Sequence, residues 1–150
     1  MGEYFTADFP THRVCAFREH IGHLNFPRLS AEVNKQREKA GVYLERLKDI
    51  PGIKAIVETG QAKASYPYLT LIFEDARKRK SALEVFKNSG LGISQVYLRA
   101  IKDYEYLKEI IPPAEYGHAR GLAEKTVTLS TSSFLKDRDL ENITEKLKKL

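Results

Sequence analysis

Apolar residues at three-to-four spacing mark residues 29–49 as a long amphipathic helix. Leu29, Val33, Ala40, Tyr43, Leu44 and Leu47 share one face, with Lys and Glu between them. Ser30 is placed to cap its start, since a hydroxyl accepts from a free first-turn N–H. Pro51-Gly52 ends it, because proline pushes the residue before it out of the helical region and glycine tolerates the turn. The pattern then changes to that of strands at 53–58 (IKAIVE) and 66–74 (YPYLTLIFE), joined by the TGQAKAS loop. Pro67 cannot donate to a ladder and belongs at a strand start or on an edge.

The helical period returns in SALEVFKNSGL, where Gly90 occupies a left-handed C′ position and Phe86 and Leu91 are spaced for a Schellman contact. GISQVYL (92–98) reads as a third strand and TVTLS (126–130) as a fourth, weaker one. Between them, IKDYEYLKEI and the segment after Pro112-Pro113 read as short helices. Asp137 or Asp139 caps a final helix with Leu140, Ile143, Leu147 and Leu150 on one face, and Lys146, Lys148 and Lys149 suit its negative end. This order does not alternate as a doubly wound fold would. It predicts a single α+β domain over 1–150: a small, mostly antiparallel sheet with helices on one face, preceded by the long amphipathic helix. Residues 1–28 form an N-terminal segment with a short helix, and 29–150 the body.

Composition narrows this picture only a little. The 150 residues are 42% hydrophobic and 30% charged, as in an ordinary globule. One cysteine excludes an internal disulfide framework, and no run reaches the roughly 20 apolar residues of a membrane span. With no apolar signal-peptide core in MGEYFTADFPTHR, a cytoplasmic location is the expectation. The charge of +5 comes from 25 basic and 20 acidic residues spread along the chain. That Lys/Glu-rich, Met- and Cys-poor balance fits a thermophile surface as readily as a phosphate-binding one.

Four segments could carry chemistry. His12, Cys15, Glu19 and His23 share a face if 12–24 is helical, and their ligand types suit zinc; with no outer-shell support in the sequence, the plainer reading is a polar stripe with Cys15 half-buried, and no metal is assigned. Arg77, Lys78, Arg79 and Lys80 could grip phosphates. At a helix start such charges oppose the dipole, with Glu74 and Asp75 adjacent to offset it, so a solvated helix end is the alternative. Tyr66, Tyr68, Tyr97, Tyr104 and Tyr106 could stack bases, though no RNP-type signature accompanies them. The hydroxyl cluster TLSTSSF (128–134), with His118 nearby in sequence, lacks a nucleophile elbow and reads as strand-closing and turn-forming residues. No autonomous active site emerges.

The order of these pieces resembles the C-terminal part of the DegT/DnrJ/StrS family of pyridoxal-phosphate sugar aminotransferases, from about residue 10 to residue 147. Arg13-Val14-Cys15-Ala16-Phe17 is similar to the family's R-M-S-x-L stretch, and His20-Ile21-Gly22 falls at its A-x-I/L-G turn of helix. NKQREKAGVYLERLKDIPGI resembles the long linking helix, N-x-x-R-R-x-x-A-x-x-Y, and RKSALEVFKNSGLGISQVY resembles R-x-x-L-x-x-x-L-x-x-x-G-I-G-x-x-x-x-Y. Pro113-Ala114-Glu115 and Ala123-Glu124-Lys125 are similar to its P-x-A-E helix, and Leu129 through Asp139 to L-P-x-x-P-x-L-x-x-x-D.

The resemblance implies an aldimine-forming lysine, a carboxylate facing the pyridine nitrogen and phosphate-holding hydroxyls, all in a large domain that would precede residue 1. None transfers to a residue here, so no cofactor is expected on this chain alone. Local departures agree. Thr11 stands where the family has the Asn of G-Y-N-x-R, and Tyr97-Leu98-Arg99-Ala100-Ile101 replaces Y-P-P-L-H and loses its His. Leu129-Ser130 replaces Leu-Pro, and Glu19 and His20 occupy positions usually small or apolar.

The expectation is a stand-alone small domain, noncatalytic by itself, that pairs as a homodimer or with a separately encoded large domain. Thr11, His12, Arg13, Tyr97 and Arg99 would line the seam, the two arginines being suited to phosphate or carboxylate. The alternative is a basic module that contacts nucleic acid through the 77–80 run and nearby tyrosines.

Overall fold

A computed structural model describes residues 13–112 and 117–150 of the chain. Two helices open it, α1 (Ala16–Asn25) and α2 (Leu29–Leu47), joined by a 3₁₀ turn at Phe26–Arg28. Pro27 has no N–H to continue the ladder. The Asn25 side chain donates to the Ile21 carbonyl at 2.8 Å just before this break. Because α2 runs straight on from that turn, its N-cap is Arg28 and not Ser30, which lies inside the helix. The expected apolar face of α2 is buried only in its second half, at Ala40, Tyr43 and Leu47. Leu29, at the helix start, stands exposed.

The sheet has three strands in the order β1 (Ile53–Ala55), β2 (Tyr68–Phe73) and β3 (Thr126–Ser130), all antiparallel. Its register places Leu71 opposite Val127 and Ala55, Leu69 opposite Leu129, and Phe73 opposite Ile53. Directly paired residues share a face, so these apolar side chains form one surface. Tyr43 and Leu47 of α2, Ala82 of α3 (Ala76–Val85), Phe86 just beyond α3, and Leu140, Ile143 and Leu147 of α5 (Asp137–Lys148) cover it. The α+β class is as expected. The strand expected to be weak, β3, is buried from Thr126 to Leu129. The other face carries Tyr68, Thr70, Thr126 and Thr128, with α4 (Gly117–Lys125) beside it.

Three local expectations need correction. Residues 92–98 form no strand, only one bridge, in which Ser94 N donates to Thr128 O at 3.1 Å and Thr128 N returns a bond at 2.8 Å. The chain approaches at Gly92, where φ is +69° and an added Cβ would lie 2.7 Å from the Ser130 Cβ. It then turns away at Gln95, whose amide donates to the Tyr97 carbonyl.

α3 ends at Val85, and the left-handed turn is shared by Asn88 (φ +60°) and Gly90 (φ +70°), so Gly90 is not the immediate C′ residue. Phe86 is buried and Leu91 packs against the same core, so the apolar partners remain. IKDYEYLKEI forms two 3₁₀ turns, Ile101–Asp103 and Glu105–Leu107.

Two further elements bear on the fold. Tyr66 (φ +50°) is a turn residue ahead of β2, its carbonyl held by the buried Thr131 hydroxyl at 2.6 Å. Asp139 caps α5 by accepting from Lys136 N at 2.9 Å. Leu129→Ala is expected to lower the unfolding free energy by about 2–5 kcal/mol in urea denaturation. Phe134→Ala, at a residue 91% exposed, should stay within about 0.5 kcal/mol.

Candidate functional site

Strand alternation and α4 together create a groove. On the second face of the sheet, Tyr68, Thr70 and Thr126 point toward Ala119, Leu122 and Ala123 of α4, and residues 96–101 close the side. The space is about 370 Å³. Its walls are apolar apart from hydroxyls and Arg99, the one charged residue among the described lining residues. Thr126 lies at the helix-to-strand junction, is 6% exposed, and its Oγ1 has no hydrogen-bond partner among the described residues. Arg99 is exposed and forms no ion pair or hydrogen bond among them. Nearby, Asp103 and Arg120 form a side-chain pair, with Arg120 Nε donating to Asp103 Oδ2 at 3.1 Å. That guanidinium holds the Asp103 carboxyl below its ordinary range.

Of the five expected seam residues, the structure brings Tyr97 and Arg99 together on this groove. Arg13 sits exposed ahead of α1, and Thr11 and His12 lie outside the described residues, as do Pro113-Ala114-Glu115. Sequence reasoning missed Ile56, Thr70, Leu122 and Thr126. Strand alternation could have put Thr70 with Thr126, but nothing local places α4 above them.

The remaining candidates resolve into structural roles. Arg77–Lys80 occupy the first turn of α3, where Asp75 caps by accepting from Arg77 N (2.8 Å) and Lys78 N (2.9 Å). Glu74 pairs with Lys78 at 3.4 Å. Arg79 is half-buried, with Nε 3.5 Å from the Thr126 carbonyl, and burial pushes its pKa down while Glu124 opposes that. The expected offset of the helix dipole is thus supplied by Asp75 and Glu74.

Cys15 is exposed, not half-buried: it stands just ahead of α1, of which no residue is buried. Glu19 and His23 approach to 3.9 Å, His12 lies outside the described residues, and no metal-holding group of three occurs among those described. The hydroxyls of 128–134 make turns: Ser130 Oγ accepts from Ser132 N, and Ser132 Oγ from Phe134 N. No hydrogen bond joins His118 to them among the described residues. Tyr68 and Tyr97 border the groove, Tyr104 and Tyr106 contact each other at 5.7 Å, and Tyr66 holds its turn. No helix is long and apolar enough to cross a membrane among the described residues.

A second surface stands out. Phe17, Ile21 and Leu24 lie at helical spacing along α1, with Val14 exposed just ahead of it; Phe17 is 74% and Leu24 58% exposed, and no residue of α1 is buried.

The family model described as the DegT/DnrJ/EryC1/StrS aminotransferase family matches residues 13–148. Among solved structures, DesV from S. venezuelae, crystallised with a ketimine intermediate, is similar at TM-score 0.81 and 16% identity over 99% of this chain and 40% of its own. PseC from Helicobacter pylori, an aminotransferase involved in pseudoaminic acid biosynthesis, is similar at 0.80 and 17% over 99% and 42%. The aminotransferase TlmJ from Streptoalloteichus hindustanus is similar at 0.69 and 21% over 86% and 34%. These identities carry the fold, and the chain spans about a third to two fifths of the length of these relatives. A search of curated protein sequences finds no match.

Hydrogen bonds from Lys78 N and Arg77 N hold the Asp75 carboxyl below its ordinary pKa. Its capping contribution is therefore full above the unfolded-state value and fades as pH falls through the depressed folded one. Asp75→Ala is expected to lower the thermal midpoint by a few degrees at pH 7, with the gap to wild type closing toward pH 2. Parallel melting curves at the two pH values check this.

Proposed function

The chain belongs to the DegT/DnrJ/EryC1/StrS aminotransferase family, and on that premise we propose that it serves as the small domain of a sugar aminotransferase, completed by a large, lysine-bearing domain supplied by a second polypeptide. The observation that carries this reading is the uncovered stripe of α1. A ten-residue helix is marginal in water by itself. With Phe17, Ile21 and Leu24 open to solvent, its apolar face calls for a partner surface. Arg13 at the head of α1 belongs to the same seam, together with Thr11 and His12. Tyr97 and Arg99 present the substrate side. Without the large domain, the same stripe drives homodimerisation.

The residues present do not fit pyridoxal phosphate. Among the described lining residues of the groove there is no lysine to bind the cofactor's carbonyl and no carboxylate to face a pyridine nitrogen. No step is assigned to this chain through that group. Its part is to cover the active site and shape the substrate pocket, while the chemistry belongs to the partner.

The basic-module alternative has no observation in its favour. Lys78 is paired and Arg79 half-buried, and none of Arg77–Lys80 lines the groove that Tyr68 and Tyr97 border.

Purified alone, incubated with pyridoxal phosphate and passed over a sizing column, the chain is expected to emerge colourless. Retention of one yellow cofactor per chain would overturn the reading. In sedimentation velocity the chain alone is expected to dimerise. Phe17→Glu combined with Ile21→Glu should weaken that dimer at least tenfold without moving the thermal midpoint measured at concentrations where both chains are monomeric, because neither side chain reaches the core.

A further inference from the structure

The groove carries a reading that does not depend on the partner domain. Three observations meet there. Its apolar walls, Ile56, Leu122 and Ala123 among them, face one another across a space large enough for a single ring. Beneath it, the Thr126 hydroxyl is buried without a hydrogen-bond partner among the described residues. Buried polar atoms are nearly always hydrogen-bonded, so this hydroxyl leaves room for a partner from outside the fold. Arg99, also unpaired among them, supplies the only charge the described lining residues bring to the groove. With no carboxylate in that lining to neutralise it, Arg99 favours an anion.

We propose that this groove is a binding site for a small, flat, apolar ring that carries a hydrogen-bonding substituent at one end and an acidic group at the other. The ring lies between the β2–β3 face and α4, its substituent toward Thr126 and its acidic group toward Arg99. Tyr97, 64% exposed beside Arg99, closes over the ring. A neutral ring lacks the contact with Arg99, and an anion without a ring has only one exposed arginine to hold it.

The test uses 4-hydroxybenzoate as the probe, followed by ¹⁵N–¹H correlation spectra of the intact chain. Benzoate lacks the hydroxyl, phenol lacks the acid, and acetate lacks the ring. Saturable shifts are expected at the amides of Tyr97, Arg99, Leu122 and Thr126. 4-Hydroxybenzoate should bind about tenfold more tightly than phenol and several-fold more tightly than benzoate, with acetate failing to saturate.

Arg99→Gln should weaken 4-hydroxybenzoate roughly tenfold and leave phenol unchanged. Thr126→Val should keep the thermal midpoint or raise it, because the hydroxyl has no partner among the described residues, while removing the advantage of 4-hydroxybenzoate over benzoate. Leu122→Trp, at a half-exposed position, should fill the groove and abolish binding with the remaining spectrum preserved. Binding no tighter than that of acetate would overturn the proposal, as would shifts away from the groove or an Arg99→Gln chain that binds as wild type. Any of these three results would leave the pairing with a large domain untouched, since that is read from α1.

Discussion

β2 lies between the other two strands, and its Leu69, Leu71 and Phe73 are almost wholly withdrawn from water. Keeping those three side chains dry is the constraint on which the remaining structure depends. The antiparallel register sets Leu129 and Val127 beside them and doubles the apolar surface. Removing that surface from water is the main force available, at roughly 25 cal/mol per Å². The second half of α2, α3 and α5 are placed where they can supply it. Tyr43 shows the polar side of the same requirement. Burial pushes its phenol pKa up, and its hydroxyl reaches the Ser130 carbonyl at 3.3 Å, so the ring enters the core without stranding the oxygen.

What this core does not cover becomes the working surface. Three helices serve one face of the sheet, and the other receives α4 and residues 96–101, which leave a groove between them. The departure of the chain from β3 after Ser94 makes this possible, because a full fourth strand would carry residues 95–98 along the sheet edge. At the other end, α1 and the start of α2 extend beyond the helices' own core, which begins at Ala40. Their apolar residues are thus left exposed.

Several features were legible along the chain because they depend on neighbours a few residues apart. The α2 and α5 stripes, the break at Pro51-Gly52 and the anionic offset at the head of α3 are local effects. The resemblance of Tyr97-Leu98-Arg99-Ala100-Ile101 to Y-P-P-L-H put Tyr97 and Arg99 on one short stretch, and both line the groove. The misreadings share a cause: Ser30 resembles a cap, GISQVYL resembles a strand, and Cys15 has a helical partner pattern. Apart from Ser30, displaced by the adjoining Phe26–Arg28 turn, the outcome was set by an element remote in sequence, or by the lack of one. Thr126 and Leu122 were invisible for the same reason, since their meaning arises when α4 turns directly into β3 beneath residues 96–101.

Composition and periodicity by themselves determined an α+β chain with a long amphipathic helix, two consecutive strands and a capped final helix, since capping and amphipathic patterning act over one turn or one strand. Family motifs, which also persist in linear order, determined its kinship. The tertiary structure alone decided which strands pair, which half of α2 is buried, and that a hydroxyl, a lone arginine and an apolar wall share one groove. Those outcomes require contacts between residues tens of positions apart, and their energies depend on what each face finds to cover it.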